Sequence, residues 1–123
     1  MLLVGAAAGE RNVISANGND GIIISDGASP GTGTTGTVIE GNLIGVAADG
    51  TTLLGNDEHG VILTNSLFAQ VGGPAPGAGN VIAGNGEEGV AVILDSTGNE
   101  FFGNSIFANG LLGIDLTGDG VTA

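Results

Sequence analysis

One pattern constrains this chain more than any other. It is an Asn, three variable residues, a Gly, and then an aliphatic residue, any residue and another aliphatic. It occurs at Asn17…Gly21-Ile22-Ile23-Ile24, at Asn56…Gly60-Val61-Ile62-Leu63, at Asn85…Gly89-Val90-Ala91-Val92 and at Asn109…Gly113-Ile114-Asp115-Leu116. A second station reads Asn-x-Ile: Asn12-Val13-Ile14, Asn42-Leu43-Ile44, Asn80-Val81-Ile82 and Asn104-Ser105-Ile106. In three copies it lies five residues before the first station; in the other, Val46–Gly55 forms an insertion. A third station is Thr37-Val38-Ile39 and Asn99-Glu100-Phe101, with Ser66–Val71 filling it in the third copy ahead of the Gly/Pro/Ala loop Gly72–Gly79. Self-similarity of this kind marks a solenoid, in which each unit buries its apolar side only by stacking on its neighbours.

The stations define one domain, 1–123, of about four coils: roughly 1–36, 37–65, 66–98 and 99–123. Met1–Gly36 and Asn65–Gly98 resemble each other further. Val4-Gly5-Ala6-Ala7-Ala8-Gly9 before Asn12 matches Val71-Gly72-Gly73-Pro74-Ala75-Pro76-Gly77 before Asn80. Met1–Gly9 is therefore read as part of the fold; it has no basic region, and its apolar run is too short for a membrane span. Gly makes up 26 of 123 residues, which disfavours helix, while 41% hydrophobic content supplies a core that a disordered Gly-rich chain would lack.

Three short strands per repeat, each ended by a turn, describe one coil of a three-sided parallel solenoid. Period-2 alternation points Ile22/Ile24, Val61/Leu63, Val90/Val92 and Ile114/Leu116 inward, joined by Ile14, Ile44, Ile82 and Ile106. The recurring Asn17, Asn56, Asn85 and Asn109 are expected at bends. There they would adopt left-handed backbone and hydrogen-bond to one another along the axis. Gly21, Gly60, Gly89 and Gly113 supply positive φ or close approach at the next bend.

The stations Asn12-Val13-Ile14-Ser15, Gly60-Val61-Ile62-Leu63, Gly84-Asn85 and Leu112-Gly113-Ile114-Asp115-Leu116 resemble the right-handed parallel β-helix repeats of exported bacterial proteins in the pectate-lyase-like superfamily. The resemblance covers nearly the whole chain. It implies an all-β, right-handed parallel β-helix and an extracellular or cell-surface location. That fold hosts lyases, hydrolases, adhesins and inert spacers, so activity has to be argued from the residues.

Thirteen acids face one Arg and no Lys, a net charge of −12. Nucleic acids and anionic membranes are excluded as partners, because both require a cationic footprint. There is no Cys, hence no disulfide frame. Lyases of the resembling family imply a basic residue with Ca²⁺; here only Arg11 is on offer, and it is expected to be a solvated turn residue. Hydrolysis needs two facing carboxylates, but Asp20, Asp26, Asp49, Asp57, Glu58, Glu87 and Glu88 are spread over turns. Asp115 points outward with Ile23, Ile62 and Ala91 as its mates. His59, beside Asp57 and Glu58, is expected to be solvated too. The turn acids Asp20, Glu58, Glu87 and Glu88 stack along one edge and form a weak cation site. No cofactor is expected, with Ca²⁺ as the alternative.

Leu111-Leu112 breaks the polar turn pattern, as do Leu2-Leu3 and Leu53-Leu54 elsewhere. With the outer row Ile23 and Ile62, Leu111 and Leu112 make a candidate self-association surface. The start in mid-repeat and the end at Ala123 point to a segment excised from a longer solenoid. The expectation is a non-catalytic structural or interaction module that forms a homo-oligomer, a dimer in preference to a filament. The alternatives are a carbohydrate-active enzyme remnant and a carbohydrate- or Ca²⁺-binding module.

Overall fold

The computed structural model describes residues 1–7, 9–25 and 34–116. Asp26 and residues 117–123 of the expected fourth coil lie outside the described residues. Gly and Asn at every bend limit each straight run to two to four residues, and these runs are strands. The first coil has β1 (Leu2–Val4), β2 (Val13–Ile14) and β3 (Ile22–Ser25), and β4 (Thr34–Thr35) leads onward. The second has β5 (Val38–Glu40), β6 (Leu43–Ile44) and β7 (Val61–Thr64), followed by β8 (Ser66–Leu67). The third has β9 (Gln70–Gly72), β10 (Val81–Ala83) and β11 (Val90–Ile93); the fourth has β12 (Glu100–Phe102), β13 (Ser105–Phe107) and β14 (Ile114–Asp115).

Strands stack on their equivalents into three parallel four-stranded sheets, β1-β5-β9-β12, β2-β6-β10-β13 and β3-β7-β11-β14, with β4 and β8 as a short fourth pair. This is a three-sided parallel β-helix of four coils. The pairing sets Leu3, Ile39, Val71 and Phe101 in one inward row. Ile14, Ile44, Ile82 and Ile106 make the second, and Ile22, Val61, Val90 and Ile114 the third. In the two middle coils these side chains are buried, whereas Leu3, Ile14, Phe101, Ile106 and Ile114 are only partly covered. Each fully buried aliphatic contributes about 1.5–3 kcal/mol.

Two rows of Asn side chains close the corners. Asn17 Nδ2 donates to Asn56 Oδ1 at 2.8 Å, Asn56 to Asn85 at 2.8 Å and Asn85 to Asn109 at 2.9 Å. The second row runs Asn12 to Asn42 (2.7 Å), Asn42 to Asn80 (3.1 Å) and Asn80 to Asn104 (2.9 Å). Backbone N–H groups of Asn17, Asn56 and Asn85 donate to the same oxygens. The second amide hydrogen goes to a backbone carbonyl: Asn42 to Leu3, Asn80 to Ile39, Asn104 to Val71 and Asn109 to Ile82.

The structure corrects several expectations. No ladder Asn has positive φ; before five of the eight the preceding residue takes the left-handed turn instead, Ala16, Gly41, Gly84, Gly103 and Ala108 having φ between 54° and 74°. The glycines closing the Asn-x-x-x-Gly stations do not have positive φ either; they permit close approach. A Cβ on Gly60 would sit 2.6 Å from the Gly89 carbonyl oxygen and 2.6 Å from Ile82 Cγ2. Leu116 is 52% exposed instead of inward, because β14 ends at Asp115. Asp115 is fully buried instead of outward and holds a polar interaction, as a buried carboxylate must. Leu2-Leu3 is not a solvated pair, since both lie on β1 and Leu3 belongs to an inward row. The insertion after β6 folds back on itself, with Val46 pairing Leu53 antiparallel. It buries Val46 against Leu43 and Ala83, a second small core outside the sheets.

Candidate functional site

The turns joining the second sheet to the third carry most of the charge. In each, the fixed Asn-to-Gly spacing leaves three residues between the ladder and the next strand. Equivalent turns stack through backbone bonds: Glu58 N–H donates to Asn19 O, Glu87 to Glu58 O and Leu111 to Glu87 O. Likewise Gly21 N–H donates to His59 O, Gly60 to Glu88 O and Gly89 to Leu112 O. The residue just before each Gly therefore forms a row of its own: Asp20, His59, Glu88, Leu112.

This row corrects the reading of His59 as a solvated turn residue. Its side chain is 17% exposed and lies among carboxylates of the coils on either side. Nδ1 is 2.6 Å from Asp20 Oδ1, and the His59 backbone N–H donates to the same oxygen at 3.0 Å. An ionised carboxylate only accepts, so Nδ1 carries the donated hydrogen. The opposite ring nitrogen, Nε2, is 3.2 Å from Glu87 Oε2 and 3.2 Å from Glu88 Oε2. Glu88 is buried, while Glu87 is about half exposed. Glu58 stands one step out, accepting from Asn19 Nδ2 at 3.2 Å.

Stacking thus brings Asp20, Glu58, Glu87 and Glu88 to one edge, as their register implies. Two sets of three residues have ligand atoms within 4.8 Å of one another: Asp20, Glu58 and His59, and His59, Glu87 and Glu88. His59 belongs to both. The signal for it was available in the sequence, since His59 is the residue before Gly60 as Asp20 is before Gly21 and Glu88 before Gly89. The structure does not bring Arg11 into this cluster, and it is exposed in the loop before β2.

The proposed self-association residues do not form a uniform surface. Leu111 is 61% and Ile23 57% exposed, whereas Leu112 and Ile62 are partly covered. Beside β9 and β12 an open cavity of about 400 Å³ is lined by Gln70, Gly73, Pro74, Glu100, Phe101 and Phe102. Gln70 Nε2 there donates to Glu40 Oε1 at 2.7 Å. No helix among the described residues is long and apolar enough to cross a membrane. Comparison with protein-family models, with curated proteins and with solved structures finds no match.

Proposed function

We propose that this chain is a non-catalytic structural module, one stretch of a β-helix stem belonging to an exported bacterial surface protein of the pectate-lyase-like kind. The observation that carries this reading is the use to which the repeating polar side chains are put. Both Asn rows are hydrogen-bonded from coil to coil, amide to amide and amide to backbone, along the full height of the described fold. Residues so engaged hold coils at a fixed spacing and have little capacity left for a substrate. Exposed Leu111 and Ile23 support contact with a second copy, a closed dimer being favoured because a net charge of −12 opposes open-ended growth.

Incubation with polygalacturonate and related glycans, followed by assay for new reducing or unsaturated ends, tests the reading. No turnover is expected; turnover lost on substitution of a turn acid would replace it with a carbohydrate-active enzyme. Sedimentation at several concentrations and salt levels tests the dimer, which salt should strengthen by screening. A second reading, carbohydrate binding without turnover, draws on the open cavity. Phe102, 58% exposed, lines it together with Gln70 and Glu100. Glycan binding that Phe102→Ala abolishes would favour it.

A further inference from the structure

We propose that His59, Glu87 and Glu88 form a binding site for a divalent transition-metal ion of the zinc class, with Asp20 as the group that orients the imidazole. Three observations combine. First, Asp20 takes the Nδ1 hydrogen at 2.6 Å, which turns the Nε2 lone pair toward the neighbouring coil. A carboxylate on the far nitrogen is the usual partner of a metal-bound histidine, fixing its tautomer and ring orientation. Second, Nε2 faces two carboxylate oxygens at once, Glu87 Oε2 and Glu88 Oε2, both at 3.2 Å. These three atoms converge only around a positive centre, either a hydrogen on Nε2 shared by both carboxylates or a metal ion. Charge-assisted N–H···O bonds are shorter, about 2.7–2.9 Å. Ligand atoms about 2.0–2.1 Å from a tetrahedral ion lie about 3.3 Å apart, close to the spacing seen.

Third, the Glu88 side chain is nine-tenths buried and aimed at this point. Among the described residues, the ring edge of His59 is the one polar group that reaches its carboxylate. A buried carboxylate is not left in that state without a cation. The ligand set is one imidazole nitrogen and two carboxylate oxygens, and the 44% exposure of the Glu87 side chain lets water reach this end of the cluster. Imidazole selects zinc-like ions, whereas Ca²⁺ takes six to eight oxygen ligands. The ion would tie the second coil to the third across the turn where the Asn row already holds them.

The experiment uses the full chain, stripped with chelator and titrated with Zn²⁺ alone. His59 is the only histidine, so one set of ring signals reports the site in long-range ¹H–¹⁵N spectra. Zn²⁺ is expected to bind one ion per chain by calorimetry, to shift Nε2 as a ligand and to leave Nδ1 protonated. Glu88→Gln should abolish that binding. Asp20→Asn should weaken it about 10–100-fold with the stoichiometry kept. Excess Ca²⁺ should not displace the metal. Ring signals unmoved by Zn²⁺ would overturn the site and leave a proton shared by the two carboxylates. Native affinity in His59→Gln or Glu88→Gln would overturn it as well, as would equal competition by Ca²⁺. Where a variant fails to fold, the ring spectrum of the native chain decides.

Discussion

The turn between the second and third sheets carries two rows three residues apart, and they obey different rules. The first repeats one residue, Asn17-Asn56-Asn85-Asn109, in every coil. The second changes at each step: Asp20, His59, Glu88, Leu112. The cause lies in the groups themselves. An amide is donor and acceptor in one plane, so it satisfies a copy of itself above and below. A carboxylate only accepts, and its copy would repel it at strand spacing. Where such a row is covered from water, a charged position needs a donor or a cation beside it, whereas Glu58 and Glu87, which follow each other in the neighbouring row, are partly exposed. In the second row His59 donates to Asp20 from Nδ1, and a cation held at Nε2 would balance Glu88 on the other side. Neutral self-complementary rows set the spacing, and charged rows can be built on them without repeating.

The largest effect should come from breaking the first row in its buried part. Asn85→Ala removes the shared acceptor of the Asn56 backbone N–H and Nδ2, and one of the two donors to Asn109 Oδ1. A loss of about 3–4 kcal/mol is expected in denaturant unfolding. Asn17→Ala, at the exposed first coil, should cost about 1 kcal/mol. Equal losses would show that the row is not read through its burial. Next is the glycine that spaces both rows. Gly60→Ala drives a methyl to 2.6 Å from the Gly89 carbonyl oxygen and should cost about 2–3 kcal/mol. Gly113→Ala meets its nearest atom, Ile106 Cγ2, at 3.4 Å and should cost much less on the same measurement.

The second row is tested at Leu112, whose turn position follows Glu88. Leu112→Lys continues the alternation and Leu112→Glu breaks it. The two should differ by up to about 1 kcal/mol in stability, with the gap shrinking as salt rises. The smallest effect concerns a charge fixed by its own loop rather than by stacking. Asp49 accepts from the Thr52 hydroxyl and from the Thr51 and Thr52 N–H groups, which lower its pKa from 3.8 to about 2. A depressed carboxylate pKa means that its contribution is complete above 3.8 and is lost as pH falls toward 2. The Asp49 carboxyl should titrate near 2 by NMR, and Asp49→Ala should slightly flatten the stability curve between those values. A midpoint near 3.8 would mean that the loop is open in solution.

Much of this molecule was legible before any coordinates. The Asn-x-x-x-Gly and Asn-x-Ile spacings fixed which residues lie over one another, and two of the three inward rows follow from them with period-2 alternation; the row of Leu3, Ile39, Val71 and Phe101 came from the structure. The pairing of Ile23 with Ile62, of Ile62 with Ala91 and of Ala91 with Asp115 is the one the stations imply. The stacking of the turn acids was legible for the same reason. A repeat writes its register into the sequence, because identical neighbours must satisfy each other at each step.

What only the tertiary structure decided was what each side chain meets across the coils. His59 lies 39 residues from Asp20, and inspection of its own turn finds only Asp57 and Glu58. Its partners belong to other coils, and their distances depend on how closely the backbones approach. The same holds for the residue that takes the left-handed turn. Ala16 and Ala108 carry no local signal for positive φ. The burial of Asp115, the exposure of Leu116 and the small core under Val46 likewise depend on where strands end and what lies over them. Periodicity specifies order along the axis; burial and contact are set by packing in three dimensions, which no one-dimensional spacing contains.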